Sequence, residues 1–433
     1  MTLAVDFGST FTKVTAISDT EVVGTAYAFT TIETDIREGL EIALTELHRQ
    51  TGRIKYTNRL AASSAGGGLK MVAVGLIPAL TAKAASMAAC SAGAKVIKTY
   101  AYELSESEAQ EIYDINPDLI LLSGGTDGGN KEVILHNARK LADIDRDFSV
   151  IVAGNKSVAD DAARILGKNA VVCSNVMPEF NKLDIMPAKD AIRALFMEKI
   201  IEAKGLGEAA LAFSAPIIPT PLAVFEGAQL LAESFGSLVA VDVGGATTDV
   251  YSMCAGTPTL PHVTQKGLPE PFAKRTVEGD LGMRYSMDAL VAGDDELKEY
   301  QAKCIADPSF VPAPGSLESQ LDERLCGIAA DMAVERHSGC LERIFTPYGE
   351  SFYQTGKDLS QVKYVIGIGG SIVYSSNPRD ILQNVTGSSK EILKPMNPMF
   401  LVDKKYIFAA MGLLSRINRE LALKILQNEL TEV

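Results

Sequence analysis

Residues 6–14 read Asp-Phe-Gly-Ser-Thr-Phe-Thr-Lys-Val, and residues 242–250 read Asp-Val-Gly-Gly-Ala-Thr-Thr-Asp-Val. Asp, Gly, Thr and Val stand at the first, third, seventh and ninth places of both stretches. Each stretch follows an apolar run and continues into residues that favour β-strands, so both read as a strand, a tight glycine turn and a second strand. The repeat therefore predicts two hairpins of the same design, far apart in the chain.

The residue types in these hairpins suit a bound polyphosphate. A glycine in the turn lets backbone N–H groups approach phosphate oxygens, and nearby hydroxyls add further donors. Asp6 and Asp242 stand at the end of the first strand of each hairpin, where they would face the same anion. Because two carboxylates repel a polyphosphate unless a divalent cation lies between them, the pair predicts Mg²⁺, held through coordinated water. Two such hairpins predict a clamp.

A third glycine-rich stretch lies beyond the second hairpin. Residues 365–371 read Val-Ile-Gly-Ile-Gly-Gly-Ser, an apolar strand that runs into a glycine turn. Such a turn allows the backbone to pack closely against a flat nucleoside. The pattern is common in α/β proteins, but its position after the second hairpin favours a nucleoside contact.

The three stretches, in this order, resemble the phosphate 1, phosphate 2 and adenosine motifs of the superfamily of sugar kinases, heat-shock chaperones and actin. The resemblance implies an α/β fold of the actin-like ATPase type, with two ribonuclease H-like lobes that bind ATP and Mg²⁺.

Two further stretches narrow the resemblance. They are Ser-Gly-Gly-Thr-Asp-Gly-Gly at 123–129 and Glu-Pro-Phe-Ala-Lys-Arg-Thr-Val-Glu-Gly-Asp-Leu-Gly-Met-Arg at 270–284. Together with the chain length, they resemble the MutL/GlmL family, which is encoded beside adenosylcobalamin-dependent glutamate mutase and related aminomutases and is unrelated to the mismatch-repair MutL. The resemblance covers the whole chain and implies an ATP-dependent reactivase or chaperone of such a mutase.

The superfamily pattern also implies which residues hold the nucleotide. Asp6 and Asp242 are the implied Mg²⁺ ligands, and Lys13, replaced by Asp249 in the second hairpin, is either a catalytic charge or a surface strand residue. Residues 278–280 are expected to open a helix beside the nucleotide. The implied nucleotide contacts are Gly8, Ser9, Thr10 and Thr12 in the first hairpin, Gly244, Gly245, Thr247 and Thr248 in the second, Gly369, Gly370 and Ser371 in the third stretch, and Glu278 and Asp280.

Residues 69–176 alternate apolar strands with helical stretches, which predicts a parallel α/β unit inserted into the first lobe. With glycine turns at 124–125 and 154, its later strands resemble cobalamin-binding domains, but it lacks the Asp-x-His-x-x-Gly sequence that supplies a cobalt ligand. The hypothesis is that this unit docks to the mutase or mimics its cobalamin domain. The predicted segments are 1–68 for the N-terminal part of the first lobe, 69–185 for the inserted domain, 186–236 for helices that return to the first lobe, and 237–433 for the second lobe.

The composition narrows the class of protein. The 433 residues include 41 Lys and Arg against 54 Asp and Glu, a formal net charge of −13, which argues against nucleic acid or an anionic membrane as a partner. The six Cys form no CxxC pair and the four His show no metal-ligand spacing. The sequence also shows neither a leader pattern nor an apolar run of membrane-spanning length, so we expect a cytoplasmic protein.

Three functions fit these observations. The first is a remodelling factor, in which ATP binding and hydrolysis move two lobes and open a partner so that damaged cobalamin leaves. The second is a small-molecule kinase, for which Asp127, at the carboxyl end of a parallel strand, is either the catalytic base or a loop and helix-capping residue. The third is a redox activator like those of 2-hydroxyacyl-CoA dehydratases, which share the motif from Asp6 to Lys13 but need closely spaced cysteines for an iron–sulfur cluster. We place the remodelling factor first.

Overall fold

The computed structural model describes residues 1–31, 34–64, 70–201, 210–307, 309–347, 349–387 and 391–433. The strands are β1 Thr2–Phe7, β2 Phe11–Ile17, β3 Val22–Phe29, β4 Asn58–Ser63, β5 Lys70–Gly75, β6 Lys95–Ala101, β7 Leu119–Leu122, β8 Ser149–Val152, β9 Ala170–Val172, β10 Ile218–Pro219, β11 Leu238–Val243, β12 Thr248–Met253, β13 Val263–Lys266, β14 Ala273–Glu278, β15 Cys340–Thr346, β16 Gly349–Thr355, β17 Tyr364–Ile368, β18 Met399–Val402 and β19 Thr431–Glu432. The helices are α1 Ile36–Thr51, α2 Lys83–Ser91, α3 Glu106–Ile115, α4 Glu132–Ala142, α5 Ala159–Leu166, α6 Met186–Ile201, α7 Thr220–Phe235, α8 Asp295–Ala306, α9 Leu317–His337, α10 Gly370–Val373, α11 Pro378–Gln383, α12 Phe408–Ser415 and α13 Arg419–Glu429.

Residues 1–66 and 203–433 form one compact unit with two large sheets, and five strands of the second sheet repeat the order of the first. The strand order is β3-β2-β1-β4-β10 in the first sheet and β14-β12-β11-β17-β18-β19 in the second. In both, an antiparallel three-stranded meander is followed by two strands parallel to the first strand of the hairpin. This duplicated order is that of two ribonuclease H-like lobes. The actin-like α/β fold predicted from the sequence is confirmed.

An apolar core lies between the two sheets and joins the lobes. It contains Ala4 and Leu60 from the first sheet, Ala240 and Ile366 from the second, and Met411 from α12, all of them buried. Helix α7 leads from the first sheet to the second and packs against α12 within this core. Burial of this shared apolar surface stabilises the association of the two lobes.

Two glycines allow α7 and α12 to cross closely. A Cβ atom on Gly412 would lie 1.8 Å from the carbonyl oxygen of Ala223, and one on Gly227 would lie 3.0 Å from the carbonyl oxygen of Phe408. Only a residue without a side chain fits at Gly412, because real Cβ atoms do not approach a backbone oxygen so closely.

The second lobe carries further layers. Helices α8, α9 and α11 cover the other face of its sheet and bury a second apolar core. A small sheet of order β13-β16-β15 belongs to the same lobe. Within the described residues, no helix combines the length and the apolar character needed to cross a bilayer.

Residues 67–202 form the other compact unit. Its sheet is parallel throughout and has the order β6-β5-β7-β8-β9, which is the flavodoxin-like order 2-1-3-4-5. Helix α3 begins at a capping box in which Ser105 accepts the N–H of Glu108 and the carboxylate of Glu108 accepts the N–H of Ser105.

The limits of the inserted domain stay a prediction. The predicted boundary between residues 68 and 69 lies outside the described residues. Helix α6 packs against α2 and β8 of the parallel unit, whereas the sequence suggested that residues 186–236 return to the first lobe.

Candidate functional site

The turns of the two hairpins share their internal geometry. In the first, the N–H of Gly8 donates to the carbonyl oxygen of Phe11 at 3.1 Å. In the second, the N–H of Gly244 donates to the carbonyl oxygen of Thr247 at 2.9 Å. The repeat in the sequence is therefore matched by the same hydrogen bond in both turns.

The two turns face each other. Ser9 and Thr10 form the first turn, and a Cβ atom on Gly245 of the second turn would lie 2.9 Å from Oγ1 of Thr10. This Oγ1 is buried and has no hydrogen-bond partner among the described residues. A buried polar group left unpaired costs about 1–3 kcal/mol, so the hydroxyl indicates a partner from outside the chain. A phosphate oxygen is an acceptor of the kind that this hydroxyl lacks.

Asp6 is held from two sides at the end of β1. It is 6% exposed, and its Oδ2 lies 3.1 Å from Nζ of Lys13, its partner across the hairpin. Its Oδ1 accepts a hydrogen bond of 2.5 Å from the hydroxyl of Thr220, the first residue of α7. The orientation of this carboxylate is therefore fixed by both its own hairpin and the helix that leads to the second lobe.

Lys13 points into the space between the lobes. Its side chain is 23% exposed, and Nζ lies 3.9 Å from the ring centre of Tyr406, which precedes α12. Burial alone lowers the pKa of the ammonium, but Tyr406, Asp6 and Asp242 outweigh this effect and raise the pKa above its ordinary value. Lys13 therefore carries a positive charge at the place where phosphate is expected.

Asp242 is half-buried and lies opposite Asp249 across its own hairpin. Burial raises the pKa of Asp242 to about 7, and the charge of Asp249 adds to this, whereas Lys13 acts in the opposite direction. Asp249 is neutralised by Arg275 of β14, whose Nη2 lies 2.6 Å from its Oδ1. A cation bound nearby would therefore favour the ionised form of Asp242.

Asp6 and Asp242 supply carboxylate oxygens of the kind that Mg²⁺ takes, and a Mg²⁺ ion shared between them stays a prediction. Mg²⁺ takes oxygen ligands and is commonly bound by one or two carboxylates together with phosphate and water. No group of three or more His, Cys, Asp or Glu among the described residues is placed to hold a metal ion by itself. The donor set therefore suits a cation that arrives with a polyphosphate.

The third glycine-rich stretch lies beside the second hairpin, because β17 pairs with β11. Gly369 has φ of 91°, and a Cβ atom there would lie 2.3 Å from the carbonyl oxygen of Val243. Gly370 and Ser371 then begin the short helix α10. A Cβ atom on Gly370 would meet only the ring of Tyr374, at 3.9 Å, so space remains beside this turn for a flat group.

Three of the expected phosphate contacts have hydroxyls that are already engaged inside their own lobe. Oγ1 of Thr12 lies 3.0 Å from Oγ1 of Thr30, and Thr248 donates to the carbonyl oxygen of Leu281 at 2.6 Å. Thr247 donates to Asp249 at 3.1 Å. These hydrogen bonds stabilise the hairpins. A direct contact between these threonines and phosphate stays a prediction.

Glu278 and Asp280 are tied to the second lobe. The expectation that 278–280 opens a helix is wrong, since Glu278 ends β14 and Asp280 lies in a turn. Arg336 of α9 donates to Glu278 at 2.8 Å and to Asp280 at 2.7 Å, which holds the segment without helix formation. Burial raises the pKa of Glu278, although Arg336 opposes this.

Asp127 lies in the parallel unit and follows β7. Its Oδ1 accepts a hydrogen bond of 3.0 Å from Asn175 and one of 3.1 Å from the N–H of Lys156. Burial acts to raise its pKa, but these hydrogen bonds outweigh it and lower the pKa below its ordinary value. These are the contacts of a residue that joins loops, and the lowered pKa makes Asp127 a weak base. Its catalytic role stays a prediction.

Sequence reasoning missed three residues of the site, Thr220, Asp403 and Tyr406. Asp403 is 1% exposed, and its two carboxylate oxygens accept the N–H groups of Ile407 at 3.0 Å and Phe408 at 2.7 Å. Burial raises the pKa of Asp403 to about 6, while these hydrogen bonds and Lys13 act against the rise. An Asp ahead of an apolar helix was the available signal for this cap, whereas nothing in the local sequence marks Thr220 or Tyr406.

The sequence model of the family described as MutL protein matches residues 2–430. The relative named Protein MutL, from Clostridium tetanomorphum, is 44% identical over 458 aligned positions, which cover 100% of this chain and 99% of that protein. Among solved structures, nucleotide-free acetone carboxylase aligns with a TM-score of 0.41 and 11% identity over 96% of this chain and 70% of that chain. Nucleotide-free diol dehydratase-reactivating factor aligns with a TM-score of 0.36 and 10% identity over 96% of this chain and 99% of that chain.

Proposed function

The chain belongs to the MutL protein family, and on this premise we propose that it is an ATP- and Mg²⁺-dependent accessory protein that reactivates an adenosylcobalamin-dependent mutase of the glutamate mutase or aminomutase type. The observation that carries the proposal is the pair of facing hairpin turns, together with the contacts that Asp6 and Lys13 of the first hairpin make at the starts of both helices of the interlobe core. Thr220, bonded to Asp6, starts α7, and Asp403, close to Lys13, caps α12.

In the clamp formed by the two hairpins, each group of residues has its own role in binding the nucleotide. The N–H groups of the two turns and the hydroxyl of Thr10 bind phosphate oxygens, and Lys13 offsets the charge that develops as the terminal phosphate leaves. Asp6 and Asp242 hold Mg²⁺, which supplies charge neutralisation when it is bound. Gly369, Gly370 and Ser371 support the adenosine.

The same contacts link hydrolysis to shape. When the terminal phosphate leaves, Lys13, Asp6 and Asp242 exchange their contacts with it for contacts with one another, such as the Lys13–Asp6 pair. Asp6 is hydrogen-bonded to the first residue of α7, and Lys13 contacts the loop before α12. A change in the contacts of Asp6 and Lys13 therefore shifts the starts of both crossing helices. A movement of the lobes is the physical means by which a bound mutase would be opened for cobalamin exchange.

The test is ATP hydrolysis with Mg²⁺, measured beside recovery of an adenosylcobalamin-dependent glutamate mutase that turnover has inactivated. We expect recovery that depends on both ATP and this protein. Thr10→Val should weaken ATP binding about tenfold or more, because a hydrogen bond to a charged group contributes about 1.5–3 kcal/mol. Thr10→Ser keeps the hydroxyl and serves as the matched control.

Two outcomes contradict the proposal in different ways. ATP binding without any recovery of the mutase argues against the reactivase and leaves the nucleotide site in place. Phosphate transfer to a small metabolite, with turnover that rises steeply with its concentration, favours the kinase.

A further inference from the structure

Two aromatic contacts join the lobes beside the clamp. Lys13 and Tyr27 are partners across β2 and β3, so their side chains share one face of the first sheet. From the second lobe, Tyr374 approaches Tyr27 with a ring-centre distance of 6.0 Å, and Tyr406 approaches Lys13 with its ring centre 3.9 Å from Nζ. Each contact pairs a residue of the first sheet with one that follows a parallel strand of the second.

The Tyr27–Tyr374 pair is exposed and lies beside the expected nucleoside. Tyr27 is 54% exposed and Tyr374 is 60% exposed, so neither ring is needed to fill a core. Tyr374 ends the short helix that begins at Gly370, and its N–H donates to the carbonyl oxygen of Gly370 at 3.0 Å. A group bound against Gly370 would therefore lie next to this pair of rings.

Tyr406 is held in a conformation that a tyrosine rarely adopts. Its φ is 53°, in the left-handed region, where a residue with a side chain is strained. The turn before it is fixed by Asp403, which accepts the N–H of Tyr406 through its carbonyl oxygen at 2.9 Å and caps α12 with its carboxylate. Strain of this kind persists where surrounding contacts enforce it, and the contact that the strain maintains is with the ammonium of Lys13.

We propose that Tyr27–Tyr374 and Lys13–Tyr406 together form a latch between the lobes, and that this latch sets the rate at which nucleotide is released. The proposal rests on the proposed function, because it assigns the release step of the same site. Both contacts must separate for the lobes to move apart at this edge. A weakened latch therefore shortens the time that a nucleotide stays bound.

The decisive measurement is the release rate of a fluorescent ADP analogue from the full-length protein with Mg²⁺, followed by stopped flow. Tyr27→Ala and Tyr374→Ala should each speed release about two- to tenfold, the range expected for loss of an aromatic pair. The double variant should release no faster than the faster single variant, because both changes break one contact. Phe29→Ala is the matched control: its ring, 45% exposed on the same strand, contacts Phe11 of the same lobe, and release should stay at the wild-type rate.

Tyr406 supplies an independent arm of the test. Tyr406→Phe keeps a ring over Lys13 but loses the hydroxyl that bonds to the ammonium, so it should speed release less than Tyr406→Leu, which loses both contacts. Thermal unfolding of each variant without nucleotide separates a latch from a structural role. Loss of the exposed rings of Tyr27 or Tyr374, with the contact that Tyr27 also makes to Phe11, should lower the unfolding midpoint by only a few degrees.

The outcomes also separate this inference from the function on which it rests. If the wild-type protein binds no nucleotide, both are overturned. If it binds and hydrolyses ATP but Tyr27→Ala releases ADP at the wild-type rate, or if the effects of Tyr27→Ala and Tyr374→Ala add, only the latch is overturned. An effect of Tyr374→Ala alone would mean that this ring contacts the base and does not join the lobes.

Discussion

The ionisation of Asp242 makes the free energy of unfolding depend on pH. Its carboxyl has a pKa of about 7, because burial and Asp249 disfavour the charged form. In an unfolded chain an aspartate titrates with a pKa near 4, so the folded protein binds more protons than the unfolded chain between about pH 4 and pH 7. The free energy of unfolding therefore contains a term that falls as the pH rises through this window.

Asp242→Asn should remove that term. Without Mg²⁺, the difference in unfolding free energy between the variant and the wild type should shift in favour of the variant from pH 4 to pH 7, and level off above. Thermal unfolding at a series of pH values measures this difference. If the free energy of unfolding has the same pH dependence in the two proteins, the pKa of Asp242 is the same in the folded and unfolded states, which would contradict this prediction.

For single residues of the site, the sequence predicts contacts within a short motif. It does not predict contacts between residues that are distant in the chain and are brought together by the fold. Asp6 and Lys13 are seven positions apart, and the hairpin register alone places them opposite each other. Thr220 binds the same carboxylate from 214 positions away, which no local pattern encodes. Tyr406 is likewise placed by the path of a loop after β18.

The close crossing of α7 and α12 requires that residue 412 has no Cβ atom. Gly412→Ala would place a Cβ 1.8 Å from the carbonyl oxygen of Ala223, which forces the two helices apart. We expect a loss of at least about 3 kcal/mol in the free energy of unfolding, the upper part of the range for overpacking. Denaturant-induced unfolding measures this loss.

Gly327→Ala is the matched control for this change. Gly327 also lies inside a helix, α9, but the atom that its Cβ would meet, at 2.8 Å, is the amide nitrogen at the end of the Asn384 side chain, which can move. Alanine also favours a helix over glycine by about 1 kcal/mol, so this variant should stay within about 1 kcal/mol of the wild type. Equal losses in the two variants would mean that the close crossing is not what makes Gly412 necessary.

The elements that the sequence predicts well are those with a strong local signal. The two hairpins follow from strand pattern and glycine turns, and the capping box at Ser105 follows from a serine three residues before a glutamate. The prediction of a helix at 278–280 is wrong: Glu278 ends β14, Asp280 lies in a turn, and Arg336 from a distant helix pairs with both carboxylates. Ion pairs between distant elements override local preference in such a segment.

For the whole molecule, the repeat of a hairpin motif predicts a repeat of a lobe, and the matching strand orders of the two sheets follow from it. The shared core of α7 and α12 does not follow, because both helices are apolar on more than one side and the sequence alone leaves their partners open. The clamp exists only because that core brings the two lobes together.

A ligand that binds both lobes at once should therefore stabilise the unit that contains them. At a concentration one hundred times its dissociation constant, a ligand adds about 2.7 kcal/mol to the free energy of unfolding. For a unit of this size, that corresponds to an increase of roughly 5 °C or more in the unfolding midpoint. We expect this shift with ADP and Mg²⁺ together, and a much smaller one when EDTA removes the metal.

Asp242→Asn tests whether the shift depends on the clamp. The variant should lose most of the Mg²⁺-dependent part, since one of two metal-binding carboxylates is gone, while ADP without metal should affect both proteins equally. Asp295→Asn, at a carboxylate that is 96% exposed on α8, is the matched control and should respond as the wild type does. A Mg²⁺-dependent shift that survives in Asp242→Asn would place the metal elsewhere and leave the second hairpin without its assigned chemistry.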